Sequence, residues 1–174
     1  HSIVDAAALA IYSPAGIVVH TGDFKVDYTP VYGDAIDLQR FAELGKKGVL
    51  ALMCDSTNAE RPGFTPSEKK LGPVFDMLFE EHKKTRILIA TFASNVDRVQ
   101  QIINTADKFG RKVVVEGRSM VNIIETASNL NRISIPDNTL IDIERLKNYP
   151  KDKTVIITTG SQGESMAALS RMAS

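Results

Sequence analysis

Two aspartates lie just after apolar runs. A carboxylate at such a position can bind a metal ion or orient an imidazole. Asp23 follows Gly22 after the run at residues 16–20, and Asp55 follows the run at residues 48–54. A carboxylate at a strand end can bind a cation, with the glycine leaving room, or orient an imidazole through a charge-assisted hydrogen bond. Turn, cap and Asx-turn roles are more common for such aspartates, and the pattern alone favours those roles.

Three loops in the second half of the sequence have the composition of anion-binding loops. They are residues 91–95, 117–119 and 159–164, and each carries hydroxyls, glycines or an arginine just before a predicted helix. Free backbone N–H groups and the positive end of the helix dipole attract anions, and short side chains let them approach. The second half of the chain therefore predicts a site for a phosphate-bearing ligand.

The side chains of these loops allow both a functional and a structural interpretation. Phe92 could stack on a base while Ser94 and Asn95 contact phosphate or sugar, or the loop could be an N-cap with Phe92 in the core. Arg118 and Ser119 could bind phosphate through a guanidinium and a helix N-terminus, or Arg118 could form a surface ion pair. The loop that includes Gly160, Ser161 and Gln162 could form part of the same site or a solvated turn.

Strands and helices alternate in the part of the chain that carries these loops. The predicted strands are residues 7–11, 16–20, 48–54, 86–91, 112–116 and 154–159. A short helix from Leu38 is predicted to end at Gly45. Another helix is predicted to begin with a capping box, Thr65 to Glu68, although Pro73 favours a start nearer Leu71. Ser94 is the predicted N-cap of the next helix. The alternation predicts an α/β fold with a parallel sheet flanked by helices, and a ligand crevice at the carboxyl ends of its strands.

The composition is that of an ordinary globular protein. Hydrophobic residues make up 43% and charged residues 24%, and the formal net charge is zero, which neither supports nor excludes a nucleic-acid partner. The single Cys54 cannot form an internal disulfide, which fits a reducing cytoplasm. No apolar run is long enough to predict a membrane span. The start at His1 and the helix-like pattern of the last residues predict an internal fragment of a longer protein.

Taken in order, six segments resemble bacterial ribonuclease J, a family of the metallo-β-lactamase superfamily with an inserted β-CASP domain. The segments begin at His1, Thr21, Asp55, Thr91, Glu116 and Thr158, and read HSIVDA, TGDFK, DSTN, TFASN, EGRSM and TTGSQGE. The resemblance covers nearly the whole chain. It implies a partial metallo-β-lactamase domain at residues 1–62 and most of the β-CASP domain at residues 63–174.

The resemblance implies a metal site shared with residues outside the chain. His1 corresponds to a ligand of one zinc, Asp23 to the carboxylate that bridges two zincs, and Asp55 to the acidic residue of β-CASP motif A near the metals. The other ligands would lie before His1 and after Ser174. We therefore predict that this chain alone neither holds the two-zinc site nor cleaves RNA.

The resemblance also implies the substrate and its contacts. The loop of Phe92, Ala93, Ser94 and Asn95 corresponds to a segment that contacts a nucleotide of RNA. The loops with Arg118 and Ser119 and with Gly160, Ser161 and Gln162 correspond, more loosely, to parts of the RNA channel. Asp97 stands where the family often has His or Tyr, and it predicts negative charge near this surface. The parent would be a cytoplasmic, zinc-dependent endonuclease or 5′ exonuclease of RNA processing and decay, and a homo-oligomer is compatible with it.

Two other functions remain compatible with the sequence. One is another β-CASP nuclease that acts on DNA or on mRNA 3′ ends. The other is a non-catalytic module that binds a phosphate-bearing ligand. A His-x-His-x-Asp-His run upstream of the chain would support the enzyme, and its absence would support the binding module.

Overall fold

The chain divides into two units by its internal contacts: unit 1 is His1–Lys69 and unit 2 is Lys70–Ser174. The computed structural model describes residues 3–163 and 168–173. The predicted domain boundary after residue 62 stays a prediction. Within the described residues, no helix is long and apolar enough to cross a membrane.

Unit 1 contains a three-stranded sheet built on a β-hairpin. β1 (Leu9–Ser13) pairs antiparallel with β2 (Gly16–His20), and β3 (Val49–Met53) pairs parallel with β2. The strand order is β1-β2-β3. The three predicted strands are confirmed, although β1 begins two residues after the expected Ala7.

The helix between β2 and β3 is longer than the sequence predicts. α1 (Leu38–Lys47) is capped by Asp37, whose side chain accepts a hydrogen bond from the Arg40 backbone N–H at 2.9 Å. It ends at Gly48 and not at Gly45, because Gly48 adopts a positive φ of 90° that suits a helix C-terminus. Lys residues in the last turn also interact favourably with the helix dipole.

The apolar run predicts that β3 is buried, and this prediction is wrong for the described chain. All five residues of β3 are exposed, with Leu50 at 63% and Leu52 at 60%. β3 is an edge strand. The small core of unit 1 forms where Leu44 of α1 packs on Ile17 and Val19 of β2, so the helix covers the central strand and leaves β3 open.

Unit 2 alternates helices with parallel strands, as predicted. Its elements are α2 (Leu71–Glu81), β4 (Ile87–Ala90), α3 (Val96–Lys108), β5 (Lys112–Glu116), α4 (Arg118–Asn129), β6 (Thr154–Thr158) and α5 (Ala168–Ala173). Short 3₁₀ turns occur at Ile143–Asn148 and Lys151–Lys153. The strand order is β4-β6-β5, and both pairings are parallel, so the last strand of the sequence lies in the middle.

The sheet of unit 2 is covered on both faces. All five residues of β6 are buried. Val114 and Ile156 pack with Ile141 on one face. Val113 and Ile157 alternate with them, face the opposite side, and are 0% exposed. The predicted parallel sheet flanked by helices is therefore confirmed.

The helix at the start of unit 2 begins at Leu71, and the capping box predicted at Thr65 is wrong. Glu68–Lys70 form a 3₁₀ turn ahead of α2. The backbone N–H of Glu68 donates to Oδ2 of Asp27 at 3.1 Å and so has a partner other than Thr65. Pro73 lies in the first turn of α2, where its missing N–H breaks no helical bond.

Candidate functional site

The parallel pairing of β2 and β3 brings Asp23 and Asp55 onto neighbouring loops. His20 pairs with Met53, so the two strands end side by side. The Thr21 N–H donates to the Met53 carbonyl at 3.0 Å, and the Asp55 N–H donates to the Thr21 hydroxyl at 3.1 Å. Both aspartates therefore follow adjacent carboxyl ends of parallel strands, the usual place for a site in such sheets.

Hydrogen bonds hold the pKa of Asp55 below the ordinary value for an aspartate. The Thr57 backbone N–H donates to Oδ1 at 3.0 Å, and the Thr57 hydroxyl donates to the same oxygen at 2.7 Å. These bonds lower the pKa most, burial opposes them, and the Phe24 N–H lowers it further. The Thr57 contact is an Asx-turn, the structural role that the pattern favours. Because Phe24 directly follows Asp23, the Asp55 carboxylate also contacts the loop that carries Asp23.

Gly22 is required by the backbone around it. It has a φ of 61°, and a Cβ at this position would lie 2.8 Å from the carbonyl oxygen of Ala7. A side chain here would therefore be strained and would clash with a backbone atom. This close backbone approach within unit 1 accounts for the glycine, and the expectation that it also leaves room for an ion stays a prediction.

The described carboxylates fit only part of a metal site. Asp23 is exposed and Asp55 is half-buried. Carboxylate oxygens are ordinary zinc ligands, but zinc sites use three or four protein ligands. Within residues 3–163 and 168–173, no three His, Cys, Asp or Glu side chains come together in a way that could hold a metal ion. The predicted ligand His1 lies outside the described residues.

The three loops predicted to bind an anion meet at one edge of the unit 2 sheet. Ala90 and Glu116 both pair with Thr158, so β4, β5 and β6 end together. A Cβ added to Gly117, which has a φ of 105°, would lie 3.2 Å from the Thr159 hydroxyl oxygen. The close contact of these two loops depends on the absence of a side chain at Gly117. We call this edge, residues 91–95, 117–119 and 159–163, the crevice.

The first crevice loop exposes its aromatic residue. Phe92 is 47% exposed, so the reading that places it in the core is wrong. Ser94 is exposed and Ala93 is half-buried. Asn95, and not Ser94, caps α3, because its side-chain oxygen accepts a hydrogen bond from the Arg98 backbone N–H at 3.2 Å. An exposed ring beside a capped helix N-terminus can stack on a base.

The other two crevice loops present polar groups to solvent. Arg118 and Ser119 are exposed in the first turn of α4, which has no acidic residue there. Ser161 and Gln162 are exposed in a turn closed by the Gly163 N–H, which donates to the carbonyl of Gly160 at 3.1 Å. Glu164, the last residue of this predicted loop, lies outside the described residues. A guanidinium at a helix N-terminus can bind phosphate.

Two charged residues lie in the first turn of α3, beside the crevice. Arg98 is half-buried, and its guanidinium Nη1 donates to the Thr91 hydroxyl at 3.3 Å, so it adjoins the crevice. Its position three residues after Asn95, in the first turn of α3, could have identified it. Asp97 is only 5% exposed, so its carboxylate does not lie on the crevice surface, and the negative charge expected near that surface stays a prediction.

Comparisons with known proteins identify relatives over nearly the whole chain. Residues 84–174 match the family model of the ribonuclease J β-CASP domain. The chain is 49% identical over 172 residues to ribonuclease J of Synechocystis sp., covering 99% of the chain and 27% of the relative. It is 47% identical over 173 residues to ribonuclease J of Helicobacter pylori, covering 99% of the chain and 25% of the relative. It is 44% identical over 174 residues to ribonuclease J2 of Bacillus subtilis, covering 99% of the chain and 31% of the relative.

A solved structure supports the fold. A protein of unknown function from Enterococcus faecalis matches with a TM-score of 0.59 and 19% identity, over 93% of this chain and 40% of that one. The chain thus spans about a quarter to a third of the length of the curated relatives that it matches. With the family model matched by unit 2 and the relatives aligned over nearly every residue, the chain belongs to the ribonuclease J family.

Proposed function

We propose that the chain is part of a zinc-dependent ribonuclease, to which unit 1 contributes metal-site carboxylates and unit 2 contributes RNA contacts. The observation that carries the proposal is the placement of Asp23 and Asp55 on adjacent loops by the parallel register of β2 and β3. The relatives are named ribonuclease J, which supports RNA as the substrate. The resemblance in motif order supports the same residues as the metal-site residues.

In this proposal three residues of unit 1 have roles at the metal site. Asp23 would be the carboxylate ligand that the two zinc ions share, and His1 would ligate one of them. Asp55, whose pKa hydrogen bonds hold below the ordinary aspartate value, would orient a neighbouring imidazole or strengthen the negative field of the site. Bound zinc would supply hydroxide at neutral pH and stabilise charge on the phosphate oxygens.

The crevice of unit 2 would hold the RNA strand. The exposed Phe92 ring stacks on a base, while the exposed Ser94 and the neighbouring Asn95 contact its sugar or phosphate. Arg118 and the N-terminus of α4 bind the next phosphate. The turn of Gly160, Ser161 and Gln162 lines the same channel. These contacts are made to the RNA backbone and to the face of a base, so we expect little sequence preference.

The remaining properties of the parent follow from this activity. It would act in the cytoplasm, where its RNA substrates lie and where the lone Cys54 stays reduced. It would cleave internally or from a 5′ end during RNA processing and decay, and a homo-oligomer of the full-length protein is compatible with this role.

The test is degradation of 5′-monophosphorylated RNA by the full-length protein with zinc present. Asp23→Ala should abolish degradation, because a bridging carboxylate holds both metal ions. Asp137→Ala, an exposed aspartate of unit 2, is the matched control and should retain full activity. Degradation of a matched single-stranded DNA but not of RNA would replace the ribonuclease by a DNA-acting β-CASP enzyme. No cleavage of either would reject an enzyme.

A further inference from the structure

The loop that carries Asp23 has no regular secondary structure to hold it. Residues 21–37, between β2 and α1, contain neither helix nor strand. Strand ladders and helix bonds therefore do not fix the backbone around Asp23. Its position must depend on individual hydrogen bonds on either side of Asp23, since buried or ordered backbone needs partners.

One anchor lies just before Asp23. Thr21 donates its N–H to the Met53 carbonyl at 3.0 Å, and its hydroxyl accepts the Asp55 N–H at 3.1 Å. These bonds attach the start of the loop to the end of β3. This anchor is two residues from Asp23.

A second anchor lies just after Asp23 and is built from buried charges. Lys25 Nζ forms an ion pair with Glu68 Oε1 at 3.0 Å, and the two side chains are 16% and 6% exposed. Asp27, 5% exposed, accepts the Glu68 backbone N–H on Oδ2 at 3.1 Å and the Thr29 N–H on Oδ1 at 3.0 Å. The Ser67 hydroxyl donates to the Thr29 carbonyl at 2.9 Å. We call Lys25, Asp27, Thr29, Ser67 and Glu68 the clasp.

We propose that Asp27 and Glu68 are positioning residues that fix Asp23 through the clasp. This inference rests on the proposed role of Asp23 in the metal site. Asp23 is exposed and stands between the two anchors, so the clasp limits how far its carboxylate can move. Removing one partner of a buried ion pair leaves a charge without compensation, so the loop would rearrange. A supporting residue that orients a metal ligand changes metal affinity or activity about 10- to 100-fold when it is lost.

The clasp differs from the surface ion pairs of the chain. The pair of Lys83 and Glu80 in the α2 region is 62% exposed on both sides, and such pairs contribute little to stability. Glu80→Gln therefore removes an exposed ion pair of unit 2 that lies outside the clasp. It serves as the matched control for the clasp variants.

The experiment compares Asp27→Ala, Asp27→Asn, Glu68→Gln and Glu80→Gln in the full-length protein. The first readout is hydrogen–deuterium exchange of the metal-free protein, followed on the peptide that spans residues 21–29. The second is kcat and KM for 5′-monophosphorylated RNA with zinc present. Glu68→Gln keeps an acceptor for Lys25 and is the mild variant should Asp27→Ala fail to fold.

We expect faster exchange at residues 21–29 in Asp27→Ala and Glu68→Gln, with kcat lower by about 10- to 100-fold and KM within about twofold. Asp27→Asn should recover part of kcat because one amide oxygen still accepts a hydrogen bond. Glu80→Gln should match the wild type in both readouts. Unchanged exchange, or faster exchange with unchanged kcat, would overturn the inference. An inactive wild type would instead reject the proposed function, and unchanged exchange in the variants would then reject the clasp independently.

Discussion

β3 has five apolar residues and β6 has three flanked by threonines, yet β6 is the buried strand. β3 reads VLALM and is exposed at all five residues, whereas β6 reads TVIIT and is buried at all five. β6 lies between β4 and β5 in a sheet whose two faces are buried, while β3 is an edge strand and the buried cluster of unit 1 joins α1 to β2. Apolar composition thus predicts that a strand forms, but the elements packed around it decide how much it stabilises the fold.

The two regions also hold their functional loops differently. In unit 2 the first two crevice loops run directly from β4 into α3 and from β5 into α4, so the helix termini fix their backbone. In unit 1 the Asp23 loop joins a strand to a helix only after a long irregular segment, and side-chain hydrogen bonds of the clasp fix it. Core substitutions should therefore matter most in unit 2.

The largest expected effect is a core truncation in β6. Ile157→Ala removes a fully buried side chain and should lower the free energy of unfolding of unit 2 by about 2–5 kcal/mol. Leu52→Ala in β3 removes a side chain that is 60% exposed and should change the free energy of unfolding of unit 1 by less than about 1 kcal/mol. Urea denaturation of the 174-residue chain, followed by hydrogen exchange in each unit, measures both. Equal losses would contradict the contrast between the strands.

The next largest effect on stability is expected for the loss of a buried arginine. Arg111 is 3% exposed, and its guanidinium donates to the carbonyls of Thr85 and His82, each at 2.8 Å, while lying over the Phe79 ring. Arg111→Leu should lower the unfolding free energy of unit 2 by about 2–3 kcal/mol, because both carbonyls lose a charged donor. Arg118→Leu, at an exposed arginine, is the control and should have little effect on thermal unfolding. A similar loss in both variants would show that the buried bonds carry no special stability.

Loss of a helix cap should lower the free energy of unfolding less than loss of a core side chain or of Arg111. Asn95→Ala should lower the stability of unit 2 by about 1 kcal/mol, because the Arg98 N–H loses its acceptor. Ser94→Ala should be nearly neutral, although the sequence predicts Ser94 as the cap. Asp37→Ala should destabilise α1 to a similar extent as Asn95→Ala, so caps act equally in both units. Thermal unfolding monitored by circular dichroism distinguishes these outcomes, and a larger loss for Ser94→Ala would restore the sequence-based assignment.

Much of the fold could be predicted because local patterns and strand periodicity agree. The β2 strand, all three strands of unit 2 and the Gly117 turn into α4 are confirmed from sequence patterns. The loops of the crevice come together because parallel strands end at one edge, which follows from the alternation of strands and helices alone.

The errors arise where distant parts of the chain compete for the same backbone group. The local pattern predicts Glu68 in a capping box, but its backbone N–H donates to Asp27 and its side chain forms an ion pair with Lys25. The clasp could not be predicted, because its members are about forty residues apart and a charge pattern does not identify partners at that separation. The prediction that β3 is buried is wrong for a different reason, since the sequence of a strand does not encode which elements pack on it.

The smallest effect concerns the protonation of Asp55. Thr57→Val removes the hydroxyl bond to Oδ1 but keeps the backbone N–H bond, which contributes most to the lowered pKa. The pKa of Asp55 should therefore rise partway toward the ordinary aspartate value of about 3.9. A ¹³C NMR titration of the Asp55 carboxyl carbon in the wild type and in Thr57→Val measures this change.

The direction of the pH dependence follows from the folded pKa lying below the unfolded one. The hydrogen bonds to ionised Asp55 stabilise the fold above the unfolded pKa, and that stabilisation is lost as the pH falls through the folded pKa. The stability difference between wild type and Thr57→Val should thus be constant near neutral pH and shrink below about pH 4. Ser56→Ala is the matched control, because the Ser56 hydroxyl donates to the Cys54 carbonyl and not to Asp55. A titration midpoint that is unchanged in Thr57→Val would mean that the hydroxyl bond contributes nothing and that the backbone N–H groups of Thr57 and Phe24 alone lower the pKa of this carboxylate.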